Sequence, residues 1–202
     1  MRIILAITGA SGVQYGLRLC EELLAASHDV ILLVSLAGFS VLEAEAGLHW
    51  SGTEQEVAAR LRERFQVPES RLRYYAGDNL LAPVASGSSA ADAMVVCPCS
   101  MGTLARIACG NSGNLLERSA DVMLKEKRPL VLVPRETPLS EIHLENMLKL
   151  ARMGTRIVPA MPAFYHAPGT VEHMVDFVVG KVLEALLIEH RLYRPWNPTV
   201  DR

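Results

Sequence analysis

Ile3-Ile4-Leu5-Ala6-Ile7-Thr8-Gly9-Ala10-Ser11-Gly12, and the residues after it as far as Ser35, decide the fold. Ile3 to Ile7 is an apolar, mostly β-branched run of strand length, as expected of a strand covered on both faces. Thr8 to Gly12 is a turn of small residues. Val13 to Ala26 then carries Tyr15, Leu17, Leu19, Cys20, Leu23 and Leu24 at helical spacing. Val30 to Ser35 (VILLVS) reads as a second buried strand. A strand-turn-helix-strand unit of this kind makes a right-handed crossover between parallel strands.

The same grammar repeats downstream. Met94 to Cys97 reads as a strand ending in the turn Pro98-Cys99-Ser100, with a helix following through Leu104 and Ile107. Leu130 to Val133 is another strand, ending at Pro134-Arg135-Glu136. Ser140 to Met153 reads as a helix, with Glu141 inside its start and Gly154 after its end. Arg156 to Val158 is a last strand, Val171 to Leu187 a closing amphipathic helix, and residues 51–72 a charged outer helix. Alternation of this kind predicts an α/β fold: a single-domain Rossmann/flavodoxin-like, doubly wound parallel sheet. Neither a repeat nor a composition shift divides the chain. The expected domain is residues 1–190. The tail, residues 191–202, cannot be regular helix through Pro195 and Pro198, and Trp196 is expected to pack on a neighbouring subunit.

Of the 202 residues 50% are hydrophobic and 21% charged, enough for one sizeable core. A net charge of −2 with interspersed signs gives no footprint for nucleic acid. The apolar run at the N-terminus is too short, and broken too soon by Thr8-Gly9, for a signal peptide, and no later stretch is long enough to span a bilayer. A cytoplasmic protein with no membrane partner is expected. Cys97-Pro98-Cys99 lacks zinc-knuckle spacing and no second pair follows, so Cys20, Cys97, Cys99 and Cys109 are expected as reduced thiols in or near the core.

In such sheets ligands bind beyond the carboxyl ends of the strands. That directs attention to Gly9-Ala10-Ser11-Gly12, Ser35, Ser100-Met101-Gly102-Thr103 and Arg135-Glu136. Small residues let backbone approach a ligand, and free amides at a helix start receive phosphate. The first loop is not G-x-G-x-x-G, and Ser35 stands where a dinucleotide site carries an acid, so a mononucleotide fits better than NAD. A plain strand-to-helix turn explains the loop alone as readily. Ser86-Gly87-Ser88-Ser89 reads either as a surface linker or as a pocket-lining loop. Lys127 and Arg128 suit the negative end of a helix. Arg118 and Lys125 lie two turns apart on one helix face, placed to grip a phosphate jointly.

These motifs resemble the UbiX-type flavin prenyltransferases. The resemblance is carried by Thr8 to Gly12 with Tyr15-Gly16, Ser86-Gly87-Ser88, Cys97 to Leu104, Glu117 to Glu126, Arg128 to Leu139 and Pro162-Ala163-Phe164-Tyr165-His166, in order from Ile4 to about Lys181. It implies reduced FMN as substrate and dimethylallyl phosphate as co-substrate. The implied product is prenylated FMN, carrying a fourth ring across N5 and C6. UbiD-type decarboxylases use that product as cofactor, as in ubiquinone biosynthesis. The implied assembly is a homo-dodecamer with each site at a subunit junction.

On the same resemblance, Gly9, Ala10, Ser11, Ser35, Ser100 to Thr103 and Arg135 contact FMN. Arg118, Lys125, Tyr165 and Lys181 hold the prenyl phosphate. Glu136, Glu45, Ser11 and Lys125 serve catalysis through proton transfer, positioning and leaving-group stabilisation, without a metal. Plainer readings stand beside these. Glu136 could pair with an arginine, Tyr165 could be an aromatic plug, His166 reads as structural, and Lys181 could be a solvated charge. Two positions depart from the family pattern: Leu36 follows Ser35 where Lys is common, and Lys181 stands where Arg is common. Two other functions compete, a flavin-dependent cysteine decarboxylase and a non-catalytic flavin carrier. The histidine and asparagine motifs of the former are not evident, and the latter leaves a second phosphate cluster unexplained.

Overall fold

Among the described residues six strands form one sheet in the order β3-β2-β1-β4-β5-β6, every neighbouring pair parallel. The computed structural model describes residues 1–196. The strands are β1 (Arg2–Ile7), β2 (Asp29–Val34), β3 (Leu72–Tyr74), β4 (Ala93–Cys99), β5 (Leu130–Pro134) and β6 (Arg156–Ile157). The helices are α1 (Val13–Ala25), α2 (Leu36–Ala46), α3 (Glu54–Phe65), α4 (Met101–Ala108), α5 (Leu115–Lys125), α6 (Glu141–Arg152) and α7 (Val171–Ala185). Strand order reverses at β1, which pairs with β2 on one side and β4 on the other, opening a crevice beyond their carboxyl ends.

Alternation along β1 divides the core. Ile3, Leu5 and Ile7 pack with α1, α2, α3 and α7 through Leu17, Leu42, Leu61 and Val178, among others. Ile4 and Ala6 face α4, α5 and α6 through Leu104, Ala120 and Leu150. Because both faces are covered, the strands read as unbroken apolar runs. The two faces matter for function, because they separate residues that the sequence analysis grouped together.

Most elements fall where expected, with differences that have local causes. α6 begins at Glu141 because Ser140 caps it, its hydroxyl accepting from the His143 amide while His143 returns the bond to Ser140. β4 runs on through Pro98 to Cys99 instead of stopping at Cys97, with a register irregularity after Val96. α2 and β3 were not anticipated. α2 (LAGFSVLEAEA) has no polar stripe and is set by its ends, Ser35 accepting from the Gly38 amide and Gly47 in the left-handed region (φ 65°). β3 has only three residues, too few for a readable alternation. The charged outer helix is confined to α3.

Gly87–Ser89 form a short 3₁₀ turn after the extended Ser86, not an open linker. Arg2 ties this turn to the amino edge of the sheet by donating to the Ser89 and Ala90 carbonyls (2.9 and 3.0 Å). Cys20, Cys97 and Cys99 are buried free thiols, whereas Cys109 is exposed just past α4, outside the expected core. Trp196 packs edge-on against Tyr165 of its own chain, and residues 197–202 of the predicted tail lie outside the described residues. No helix among the described residues is long and apolar enough to cross a membrane.

Candidate active site

Four strand ends converge on the crevice. After β1, Thr8 is fully buried and acts as a clamp. Its hydroxyl donates to the Pro98 carbonyl (2.8 Å) and accepts from the Ser100 amide (2.8 Å), locking the β1 and β4 ends together. At Gly9 an added Cβ would lie 2.4 Å from the Ala37 Cβ, so only glycine lets this loop sit against the start of α2. Gly12, at φ 99°, turns the chain into α1. Ser100 accepts from the Thr103 amide at the start of α4, and its hydroxyl also bonds that of Thr103 (3.0 Å). From β5, Arg135 reaches across to donate to the Ser11 carbonyl (3.0 Å). Gly9 to Gly12, Ser35, Ser100 to Thr103 and Arg135 therefore share one rim, as their strand-end positions predicted.

Three helices present their amino ends to this rim, and they differ. At α1, a Glu45 oxygen accepts from the Gly12 and Val13 amides (2.8 and 3.2 Å). A carboxylate already fills this positive end. Burial alone would raise the Glu45 pKa. The Ser11 hydroxyl, these two amides and the nearby Arg135 charge outweigh it, so the group titrates below its usual range. At α2 and α4 the serine caps each satisfy one amide, and among the described residues Leu36, Ala37, Met101 and Gly102 donate to nothing. Free amides at two helix starts beside one arginine fit an anionic phosphate. A Cβ at the exposed Gly102 would meet only an Arg106 nitrogen, at 3.4 Å, so the space above α4 is open. The rim suits a phosphorylated mononucleotide such as FMN on these grounds.

Glu136 follows Arg135 and is exposed. Its carboxylate accepts from the Thr137 amide (3.0 Å) and makes no ion pair among the described residues, so the arginine-pairing alternative is not what the structure shows. Cys97 and Cys99, near the rim, are poor nucleophiles: burial pushes the Cys99 thiol up to about 12 and Cys97 higher still.

The four residues expected on a second phosphate do not meet within one chain. Tyr165 and Lys181 lie on the α1/α7 side. Tyr165 packs edge-on to Phe177 (5.8 Å), and the Lys181 ammonium sits 5.8 Å from that same ring. Arg118 and Lys125 are on α5, beneath the other face. Arg118 donates to the Ala85 carbonyl (3.0 Å) and pairs with Asp121 (3.2 Å), while Lys125 pairs with Glu126 (3.1 Å) beside Gly87. The sheet stands between the two pairs.

Sequence reasoning missed three features. Thr8 was visible only as part of a turn. Arg106 links the rim to the core: it donates to the Thr103 hydroxyl (3.3 Å) and to Glu117 (2.5 Å), which is 3% exposed and also accepts from Gly113. Glu184 and Tyr193, around Lys181, carried no motif at all.

Comparison with known proteins completes the description. A family model described as Flavoprotein matches residues 1–183. The flavin prenyltransferase UbiX of Halalkalibacterium halodurans is 50% identical over 195 residues, covering 96% of this chain and 93% of its own. The crystal structure of AnUbiX in complex with FMN and dimethylallyl pyrophosphate superposes with a TM-score of 0.86 at 39% identity, covering 97% of each chain. A dodecameric FMN-dependent UbiX-like decarboxylase from Escherichia coli O157:H7 gives a TM-score of 0.84 at 41% identity, covering 98% of this chain and all of that one.

Proposed function

Because the chain belongs to the UbiX flavin prenyltransferases of the Flavoprotein family, we propose an assignment of each step of that reaction to its residues. The enzyme joins the dimethylallyl group to N5 and C6 of reduced FMN. One observation carries the reading: 50% identity to a flavin prenyltransferase over 96% of the chain. The rim of helix starts supports it independently.

Ser35, Ser100, Met101, Gly102, Thr103 and Arg135 hold FMN, the phosphate against the free amides of α2 and α4. Gly9, Ala10 and Ser11 line its approach. Reduced FMN supplies the nucleophilic N5 and, on ring closure, C6. Tyr165 and Lys181 of one subunit and Arg118 and Lys125 of another enclose the prenyl phosphate. Their donors take up the negative charge that grows on the phosphate oxygens as the allylic C–O bond breaks. Glu136, exposed beside Arg135 at the rim, exchanges the proton at closure. Glu45 keeps Ser11 and the α1 start in place.

Arg118 and Lys125 share no partner with Tyr165 or Lys181 within one chain, so this assignment draws the second wall from a neighbouring subunit. The dodecameric relative supports a dodecamer here. The donor is dimethylallyl phosphate, and a UbiD-type decarboxylase receives the product, as in ubiquinone biosynthesis or aromatic acid decarboxylation. The enzyme works in the cytoplasm. Residues 1–190 form its domain and residues 191–202 its tail.

The test is anaerobic incubation with reduced FMN and dimethylallyl phosphate, then mass spectrometry of the extracted flavin. A flavin heavier by one C5H8 unit, lost in Lys125→Ala and Glu136→Ala, is the expected result. An unmodified flavin on an intact, FMN-binding oligomer would overturn the reading.

A further inference from the structure

On α7, Phe177, Lys181 and Glu184 lie on one face, since residues three and four apart are neighbours. The Lys181 ammonium donates to Glu184 (2.8 Å). It sits 5.4 Å from the ring of Tyr193 and 5.8 Å from that of Phe177, within reach of cation–π attraction to both. Tyr193 belongs to the segment after α7, which folds back along the helix. Its hydroxyl donates to the second Glu184 oxygen, and the His190 ring stands 3.5 Å from the same oxygen. The fold-back depends on Gly180. A Cβ there would lie 2.5 Å from the Tyr193 ring and 2.7 Å from the His190 ring. Tyr193 also tilts against Phe177 at 4.8 Å, and Phe177 carries Tyr165.

We propose that Glu184 and Tyr193 are positioning residues that hold the Lys181 ammonium beside Tyr165, fixing one wall of the prenyl-phosphate site. This rests on the assignment of Lys181 and Tyr165 to that phosphate. The reasoning is one of degrees of freedom. A lysine is a point charge on four rotatable carbons, and unlike arginine it has no planar fork to orient itself. Glu184 takes one of its three N–H groups and the Tyr193 side chain flanks it, which still leaves a donor for an anion. Hydrogen bonding to Glu184, then to Tyr193, raises the Lys181 pKa, so the ammonium stays charged through the physiological range. Neither Glu184 nor Tyr193 touches substrate in this arrangement. Both act through Lys181.

The experiment measures KM for dimethylallyl phosphate, kcat, FMN affinity and melting temperature for Lys181→Ala, Glu184→Ala, Glu184→Gln, Tyr193→Phe and Tyr193→Ala. The expected result is that Lys181→Ala and Glu184→Ala each raise KM several-fold while FMN affinity holds. Glu184→Gln keeps an acceptor and recovers most of the loss. Tyr193→Phe keeps the ring and falls between wild type and Tyr193→Ala. If Glu184→Ala leaves KM unchanged or lowers it while Lys181→Ala raises it, the positioning inference is overturned and Glu184 is a bystander or a competitor for the cation. If Lys181→Ala itself leaves KM unchanged, the assignment of Lys181 to the phosphate fails first. Loss of FMN affinity and melting temperature in both Tyr193 variants, with KM unmoved in Tyr193→Phe, would reduce Tyr193 to a fold support and overturn its part.

Discussion

At Gly9 the side chain is a single hydrogen because the neighbouring helix leaves room for nothing else. Gly9→Ala pushes a methyl to within 2.4 Å of Ala37, so the loop and α2 must part. Overpacking of this kind costs about 1–3 kcal/mol, visible as a lower urea midpoint together with weaker FMN binding by fluorescence titration. Gly102→Ala is the contrast. Its new methyl meets only one guanidinium nitrogen, at 3.4 Å, so stability stays within about 0.5 kcal/mol of wild type. Any loss of FMN affinity in that variant then reports the site and not the fold. Residues of this kind were legible in the sequence because their chemistry is local: a glycine or serine just past a strand announces a close approach or a cap. Glu45 and Glu184 were not legible in the same way. Their partners are Gly12, 33 positions away, and Tyr193 in a tail without a motif, and a carboxylate alone does not say what it faces.

The helix starts are where charge and backbone meet, and they respond to pH. Glu45 sits at the amino end of α1 with its folded-state pKa below the ordinary 4.5. A depressed carboxylate stabilises the fold fully above its unfolded value and loses that contribution as pH falls through the folded one. Glu45→Gln is therefore expected to lower the urea midpoint near neutrality. The gap from wild type closes on acidification below about 4.5. A gap that persists unchanged in acid would mean the carboxylate's charge is not what holds α1. At α4, Ser100→Ala removes the cap on the Thr103 amide, with an expected loss of about 1 kcal/mol in denaturant unfolding. Element legibility followed pattern strength. β1, β2, β4, β5 and α6 were plain from apolar runs and cap chemistry, and α6 was missed only by the width of its cap. α2 has no stripe to read, and β3 is too brief to show a period.

For the whole molecule the sheet is a partition. Its strand pattern showed in the sequence that both faces are covered, but not which of the residues proposed for the phosphate fall on which side, because Arg118 and Lys125 look like partners of Tyr165 only until α5 and α7 are placed. The assignment makes a prediction for mixtures. Lys125→Ala is inactive alone and Lys181→Ala works with a KM raised several-fold. Co-assembled at equal amounts, they regain wild-type behaviour in about a quarter of the sites, those that draw the intact wall from each chain. Mass spectrometry of the flavin from the mixed oligomer checks this, and no recovery would mean the walls come from one subunit. The divided site also sets a law of concentration. On this assignment an isolated chain would hold FMN on its rim but only half of a phosphate site, so turnover per milligram should fall as the protein is diluted towards dissociation, while flavin binding persists. Near that threshold the rate rises with more than the first power of enzyme, and a cell making too little of this protein would hold a flavin store in place of a catalyst.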